Sequence, residues 1–235
     1  MSSPYRDLII ARSPSIYLPF QDASGLPQDV SGNGKHITAV AGDETYQVSG
    51  PKLGSSAIRC ISAGMLRNSA VFTNTINFWF ELWIKYLADP ADNRSIFGTG
   101  AGIDLINTSG DGFYLVRQGV GFTSSNADTD NLDDGNWHQI GVVVTNASPP
   151  TYLYFLDGDE KTNGGSGFMN AHTALTFARD GATFDIAHFS MGLGVLAEAD
   201  YAASYAASMV DADAAAVQRP EGGGGAYSYY YANEE

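Results

Sequence analysis

One stretch of the chain, "NFWFELWIKYL" at residues 77–87, constrains the fold more than any other. Its odd positions mix tryptophan with charged and polar residues, whereas its even positions are all apolar: Phe78, Phe80, Leu82, Ile84 and Tyr86. Because side chains alternate between the two faces of a strand, this period of two predicts an antiparallel strand with one face on a hydrophobic core. The other face is mixed, with aromatic and charged side chains side by side.

Similar short runs, separated by Gly, Asn, Asp and Ser, continue through residues 15–191. The runs "WHQIGVVVT" and "TYLYFLDG" are rich in β-branched and aromatic residues, and they predict a hairpin that is followed by a turn at "DGDE". Many short strands of this kind predict an all-β fold, a two-sheet antiparallel sandwich. The chain is long enough for one such domain, and its 44% of apolar residues suffices for a sizeable core.

One segment, residues 196–216, is predicted to be helical, because it is rich in alanine and carries acids in its first turn. Tyr201 and Tyr205 lie four residues apart and predict one apolar stripe along this helix. The prediction divides the chain into a lead or attachment segment at 1–14, the sandwich at 15–195, a C-terminal helix at 196–216 packed on or beside the sandwich, and a Gly- and Tyr-rich tail at 217–235.

Charge and cysteine content exclude several classes of protein. A net charge of −14 with only 12 Lys and Arg residues argues against a nucleic-acid partner. Cys60 is the single cysteine, so neither an intrachain disulfide nor a cysteine-based zinc site can form. No run approaches the roughly 18 apolar residues of a membrane span, and the first residues lack the order of a signal peptide. We therefore expect a protein that is made in a cytoplasm and binds neither membrane nor nucleic acid.

Four stretches, in order, resemble the laminin-G-like, concanavalin A-like jelly-roll domain. They are "IYLPFQDASGLPQDVSGNGKHITAV", "INFWFELWIKY", "GNWHQIGVVV" with "LYFLDGDE", and "FDIAHFSMGLGVLAEADYAASY". The resemblance implies a jelly-roll sandwich with one short C-terminal helix after its closing strand. This sandwich serves lectins, glycanases, adhesive modules and virion proteins alike, so the fold by itself does not assign a function.

The first residues, "YRDLIIARSPSIYLPFQD", resemble the start of such domains in phage minor tail proteins. That resemblance implies a virion protein, made in the bacterial host cytoplasm, which contacts other virion proteins as a homo-oligomer or symmetric array. It also implies a non-enzymatic, adhesive or glycan-binding role toward a host surface glycan. Two alternatives stay open: a capsid decoration or cement protein without receptor binding, and a carbohydrate-binding module of a cell-surface protein.

A histidine beside a tryptophan, His138, begins the apolar run of the predicted hairpin. It shares its strand face with Ile140, Val142 and Val144, so we expect a buried, hydrogen-bonded side chain and not a catalytic base. The resemblance agrees, because the Trp-His pair is a fold signature in non-enzymatic members of the family. We interpret the acids that precede His138 as a turn and not as its catalytic partners.

The outer face of the predicted strand carries Trp79, Glu81, Trp83 and Lys85. Aromatic rings flanked by acid and amide groups suit sugar binding, so these four are candidate carbohydrate-binding residues. The alternative is that the terminal helix or a neighbouring subunit covers this face. A glycanase needs two acids at a defined separation. Glu81 is alone on its face, where Lys85 predicts an ion pair, and we therefore assign no catalytic residue and expect no enzyme.

The loop "QDASGLPQDVSGNG" carries Asp22, Asp29 and Asn33 within a turn that its glycines permit. Oxygen ligands in a flexible loop suit Ca²⁺. In the family that the chain resembles, an acid on the last strand assists such a loop, and the matching residue here is Asp185. These four residues are the candidate ligands of a structural calcium ion, and the alternative is an Asx-turn loop without metal.

Overall fold

A computed structural model describes residues 3–40, 43–52, 55–61, 65–67, 77–87, 94–99, 103–108, 112–117, 121–122, 132, 134–145, 151–161, 174–179 and 183–217. Two helices, α1 (Pro4–Ala11) and α2 (Glu198–Val217), lie in this part of the chain. The strands are β1 Ile16–Leu18, β2 Ala39–Val40, β3 Asp43–Ser49, β4 Ser56–Ile61, β5 Met65–Arg67, β6 Phe78–Tyr86, β7 Arg94–Gly98, β8 Ile103–Thr108, β9 Gly112–Arg117, β10 Gly121–Phe122, β11 His138–Thr145, β12 Thr151–Leu156, β13 Asp159–Glu160, β14 Leu175–Arg179 and β15 Thr183–Leu193.

The larger of the two sheets is antiparallel and places β6 near its centre. Its strand order is β13-β12-β11-β6-β15-β4-β3, and β1 pairs with β15 beside this path. In the register, Glu81 of β6 faces Gly141 of β11 on one side and Ser190 of β15 on the other. The stretch whose alternation most constrains the fold is thus a central strand, where both faces are covered or partly covered.

The smaller sheet packs on one face of the larger sheet and encloses the main core. Its order is β10-β9-β8-β7-β14-β5-β2, also antiparallel. All five even residues of β6 lie in this core, as the alternation predicts. Phe80 of β6 meets Phe97 of β7 edge-on, with ring centroids 4.6 Å apart. The all-β, antiparallel class predicted from the sequence is therefore confirmed.

Helix α1 lies on the outer face of the larger sheet, within the segment that the sequence analysis predicts to be a lead. The Ser3 side chain accepts a hydrogen bond from the backbone N–H of Arg6, and Pro4 takes the first helical position. Tyr5 and Ile9, one turn apart, are fully buried in a cluster with Trp83. Only one helix is predicted from the sequence, so α1 is a correction: it is a second helix, and its buried residues are part of the folded body.

Helix α2 begins two residues after the predicted start and covers the neighbouring part of the same outer face. Tyr201 is fully buried and Tyr205 half-buried, so the predicted stripe faces the sheet. Within the described part of the chain, neither helix combines the length and the hydropathy needed to cross a membrane. The description ends at Val217, so the rest of the predicted tail lies outside the described residues.

The turn after the predicted hairpin strands is formed by Asp157 and Gly158, which join β12 to β13. Both residues have positive φ, 52° and 91°. Two consecutive positive φ angles define the turn type that matches the right-handed twist of a two-residue hairpin. The connection "NASPP" between β11 and β12, and most of the acidic loop at 125–136, lie outside the described residues.

Candidate functional site

The predicted sugar-binding tryptophans lie beneath the two helices. Trp79 is 1% exposed and Trp83 is 3% exposed. Trp83 stacks on Tyr205 of α2 with ring centroids 5.8 Å apart. Trp79 lies so close to Gly192 of β15 that a Cβ atom added there would be 2.6 Å from its ring. These rings therefore offer no surface to a sugar, and the alternative in which a terminal helix covers the face describes the structure.

The third residue of this face, Glu81, is completely buried and held by side chains from both helices. Its Oε1 accepts a hydrogen bond from the Tyr5 hydroxyl at 2.5 Å, and its Oε2 lies 2.9 Å from Nη1 of Arg12. The Ser204 hydroxyl of α2 donates to Oε2 at 3.0 Å. The predicted ion pair with Lys85 is therefore wrong, because the cation that reaches Glu81 comes from Arg12, just after α1.

Arg12 connects the two helices through the same cluster. Its Nη1 also donates to the Ser204 hydroxyl at 2.7 Å, and its Nη2 donates to the backbone carbonyl of Asp200. Burial raises the pKa of Glu81, although the Arg12 charge and the hydrogen bonds from Tyr5 and Ser204 oppose that rise. Every donor around this carboxylate belongs to the chain itself, so the arrangement fastens both helices to the sheet.

A glycine in the neighbouring strand provides the flat seat that α2 needs. A Cβ atom on Gly141 would lie 2.2 Å from the Tyr201 ring. The ring stacks on Phe155 of β12 with centroids 4.1 Å apart, and its hydroxyl donates to the carbonyl of Val142 at 3.0 Å. Glycine within a central strand commonly marks such a close approach, and this was a signal in the sequence that the outer face is covered.

The predicted calcium ligands are not brought together. Asp29 accepts hydrogen bonds from the backbone N–H groups of Tyr17, Ser31 and Lys35, at 2.9, 2.9 and 2.8 Å. Burial alone would raise the pKa of Asp29, but these bonds and one from the Ser31 hydroxyl lower it. A carboxylate surrounded by donors stabilises a loop and has little capacity left for a cation.

The remaining three candidate ligands have separate roles. Asp22 accepts a weak bond from the backbone N–H of Gln28 at 3.4 Å, and Asn33 donates to the carbonyl of Pro14 at 3.0 Å. Asp185 lies on β15 and forms a bidentate pair with Arg59. Among the residues that the structure describes, no three His, Cys, Asp or Glu side chains gather closely enough to hold a metal ion.

His138 lies at the start of β11, on the same face as the core residues Ile140, Val142 and Val144, as predicted. Its Nδ1 is 2.9 Å from Oδ2 of Asp157, and its Nε2 is 3.1 Å from Oδ1 of Asp134. The hydrogen bond with Asp157, followed by that with Asp134, raises the pKa of His138. Asp134, one of the preceding acids, is thus a hydrogen-bond partner of His138, and the arrangement ties two turns to a strand.

A second histidine, His188, is buried in the fold, and no role was predicted for it from the sequence. It has a positive φ of 52° at a bulge in β15, and its Nδ1 lies 3.0 Å from the Tyr17 hydroxyl. Its ring also meets the Tyr5 ring edge-on, with centroids 5.0 Å apart. Burial, with a smaller effect from Lys52, lowers the pKa of His188 to about 3, so the ring is neutral. Through its contact with Tyr5, the His188 ring packs against α1.

The fourth predicted sugar-binding residue, Lys85, lies beyond the edge of the helical cover. It is half-buried and sits opposite Asp185, which in turn sits opposite Arg59 of β4. The predicted group of four residues is thus divided, because three are buried under the helices and one is at the surface.

Comparison with known proteins finds similarity at the level of structure alone. No protein-family model matches the chain, and no curated protein matches it in sequence. A botulinum neurotoxin serotype D binding domain is similar with a TM-score of 0.65 and 14% identity, covering 84% of this chain and 53% of that one.

Two further binding domains give the same result. That of botulinum neurotoxin DC, solved in complex with rat synaptotagmin II, has a TM-score of 0.61 and 12% identity over 84% of this chain and 52% of its own. The binding domain of Paraclostridial Mosquitocidal Protein 1 has a TM-score of 0.59 and 17% identity, covering 83% of this chain and 52% of its own. The chain spans about half the length of these structures. The all-β fold of this chain is therefore similar to that of about half of each of these binding domains.

Proposed function

We propose that this chain is a non-enzymatic binding module with a laminin-G-type jelly-roll fold, carried by a phage virion as a minor tail or surface protein. Its role is adhesion to a host surface glycan. The sequence stretches that resemble such domains support the virion setting. The likeness in fold to toxin binding domains supports a role in recognition, since a stiff sandwich that displays surfaces and loops serves that purpose in many unrelated proteins.

One observation carries the non-enzymatic part of the proposal. Glu81 lies on the outer face between two tryptophans, where a sugar-cleaving carboxylate would be sought, and its oxygens are already bonded to Tyr5, Arg12 and Ser204. Glycoside hydrolysis requires a pair of carboxyl groups with access to the substrate and to water. A fully buried carboxylate that holds two helices in place supports a structural role.

The virion setting also explains how weak binding suffices. A symmetric particle presents many copies of one module, so a second binding event takes place at a high effective concentration. Individual affinities near 1 mM are then enough for firm attachment to a cell surface.

Two measurements test the proposal. Antibodies against the chain are applied to purified particles of the phage that encodes it, and we expect label on the tail or particle surface. Purified protein is then incubated with host cells before and after periodate oxidation of surface sugars, and we expect the oxidation to abolish binding. Absence of the chain from purified particles would contradict the virion assignment. Its presence without cell binding would instead favour a decoration protein.

A further inference from the structure

The helices cover only part of the outer face of the larger sheet. The uncovered part continues along the same strands, and six of its residues are Ile61 and Arg59 on β4, Asp185 on β15, Lys85 on β6, Leu87 directly after β6, and Trp137 directly before β11. We refer to these six residues as the open half. Leu87 and Ile61 are 37% and 36% exposed, respectively. Arg59, Lys85 and Trp137 are half-buried, and Asp185 is buried, so the exposed part of this surface lies at Ile61 and Leu87 and at the outer parts of the three half-buried side chains.

The register orders the charged and aromatic members of the open half in a row. Asp185 pairs across the strands with Lys85 on one side and with Arg59 on the other. His138 pairs with Ile84, so Trp137 comes one step further, beside Lys85. Neighbouring strands lie about 4.8 Å apart, so the row from Trp137 to Arg59 extends about 15 Å. That length suits a short oligosaccharide.

The charges of this row are arranged around one buried carboxylate. Asp185 is 2% exposed and accepts two bonds from Arg59, from Nε at 2.7 Å and from Nη2 at 3.1 Å. Lys85 takes part in none of the ion pairs found among the described residues. Two cations therefore flank one anion, so the row itself carries a positive excess in a chain whose net charge is −14, and the exposed Asp43 of β3 lies opposite Ile61, one step further along the same face.

Trp137 supplies an aromatic surface at the end of the same row. It is half-buried and packs against the cluster that contains Tyr5, Trp83 and Ala187. One side of its indole is thus packed against the residues under the helices. Rings of sugars stack on such aromatic surfaces, while a few placed charges fix the orientation of the ligand.

We propose that the open half binds an acidic glycan, with a sugar ring against Trp137 and a sugar carboxylate between Lys85 and Arg59. Hydrogen bonds between cationic donors and a carboxylate are stronger than those between neutral groups. A neutral sugar would leave the excess cation without a partner. Polyanions of high charge density, such as nucleic acid, are disfavoured by the acidity of the remaining surface. The inference rests on the proposed adhesive function and names its ligand class.

Saturation-transfer NMR on the full chain tests the proposal. The probes are hexamers of three carboxylated sugars (galacturonate, hyaluronan and polysialic acid) with maltohexaose as the neutral comparison, each at millimolar concentration. We expect at least one acidic hexamer to bind about tenfold more tightly than maltohexaose. Lys85→Gln should weaken that binding about tenfold, and Trp137→Leu should weaken it roughly three- to tenfold. Arg6→Gln removes an exposed cation from α1 and is the matched control, which should bind like the parent.

Each outcome decides the matter. Binding that Lys85→Gln and Trp137→Leu leave unchanged, in variants with the parent melting temperature, would overturn the site while leaving adhesion intact. Equal binding of maltohexaose would overturn the acidic specificity. Absence of binding to all three acidic hexamers would overturn the glycan site altogether, whereas antibody labelling of particles separately decides the virion assignment. If Trp137→Leu fails to fold, Lys85→Gln alone decides, because the Lys85 side chain forms no ion pair among the described residues that its replacement would break.

Discussion

Replacing Arg12 by methionine tests whether the cluster around Glu81 fastens the helices. The substitution removes the guanidinium that lies 2.9 Å from Oε2 of a fully buried carboxylate. Breaking a buried ion pair by removing one partner costs about 3–5 kcal/mol. A domain of this size loses about 2–4 °C of melting temperature per kcal/mol, so we expect a fall of about 6–20 °C. Arg6→Met on the exposed side of α1 is the matched control and should stay within about 0.5 kcal/mol of the parent.

The pH dependence of Arg12→Met provides a second readout. Burial raises the pKa of Glu81, and the loss of Arg12 removes an opposing effect. A carboxyl whose folded-state pKa is raised binds a proton more tightly when folded, so stability falls as pH rises from the unfolded pKa through the folded pKa. Arg12→Met should therefore lose less stability near pH 4.5 than at pH 7, measured by urea unfolding relative to the parent. A cost below about 1 kcal/mol at pH 7, as for an exposed pair, would refute the reasoning.

Three further predictions concern other parts of the fold. Gly141→Ala places a methyl group 2.2 Å from the Tyr201 ring and should cost about 1–3 kcal/mol in urea unfolding, and an unchanged midpoint would show that α2 does not seat there. The pKa of His138 is raised, chiefly by its hydrogen bond with Asp157. The stability that this pair adds to the fold is therefore present below the unfolded pKa of about 6.5 and is lost as pH rises through the folded pKa. Asp157→Asn should flatten this part of a plot of unfolding free energy against pH. Asp29→Ala should lower stability by at least about 2 kcal/mol because several N–H donors lose their acceptor, while EDTA should leave the parent's melting temperature unchanged in thermal melts.

The sequence predicted the directions of side chains well, because strand geometry is local. Alternation along β6 placed all five even residues in the core, and the same rule oriented His138 correctly. The partners of these side chains were harder to predict. Asp157, which bonds to His138, follows 19 residues later across a hairpin, and Arg12 precedes Glu81 by 69 residues. Pattern within one strand contains no information about contacts at such separations.

Helix α1 shows a different reason for a missed element. Its eight residues are too few to form a stable helix alone, since isolated helices shorter than about 12–15 residues are marginal in water. Its stability comes from Tyr5 and Ile9, which are buried against the sheet. A start signal was present in Ser3 and Pro4, but a helical pattern of two apolar positions is too short to be distinguished from a loop. Tertiary packing therefore decides this element.

Because the helices cover Trp79 and Trp83, the proposed glycan surface lies further along the same sheet face, at Lys85 and Trp137. The sequence showed a mixed aromatic and charged face on β6, and this description applies equally to a binding surface and to a face that a helix covers. Gly141 and Gly192 distinguish the two, since each leaves space that an aromatic ring fills, Tyr201 and Trp79 respectively. The strands carry such glycines where the cover lies, whereas the rows beyond it carry long charged side chains. The proposed glycan surface therefore lies where the glycines end, at Lys85 and its neighbours.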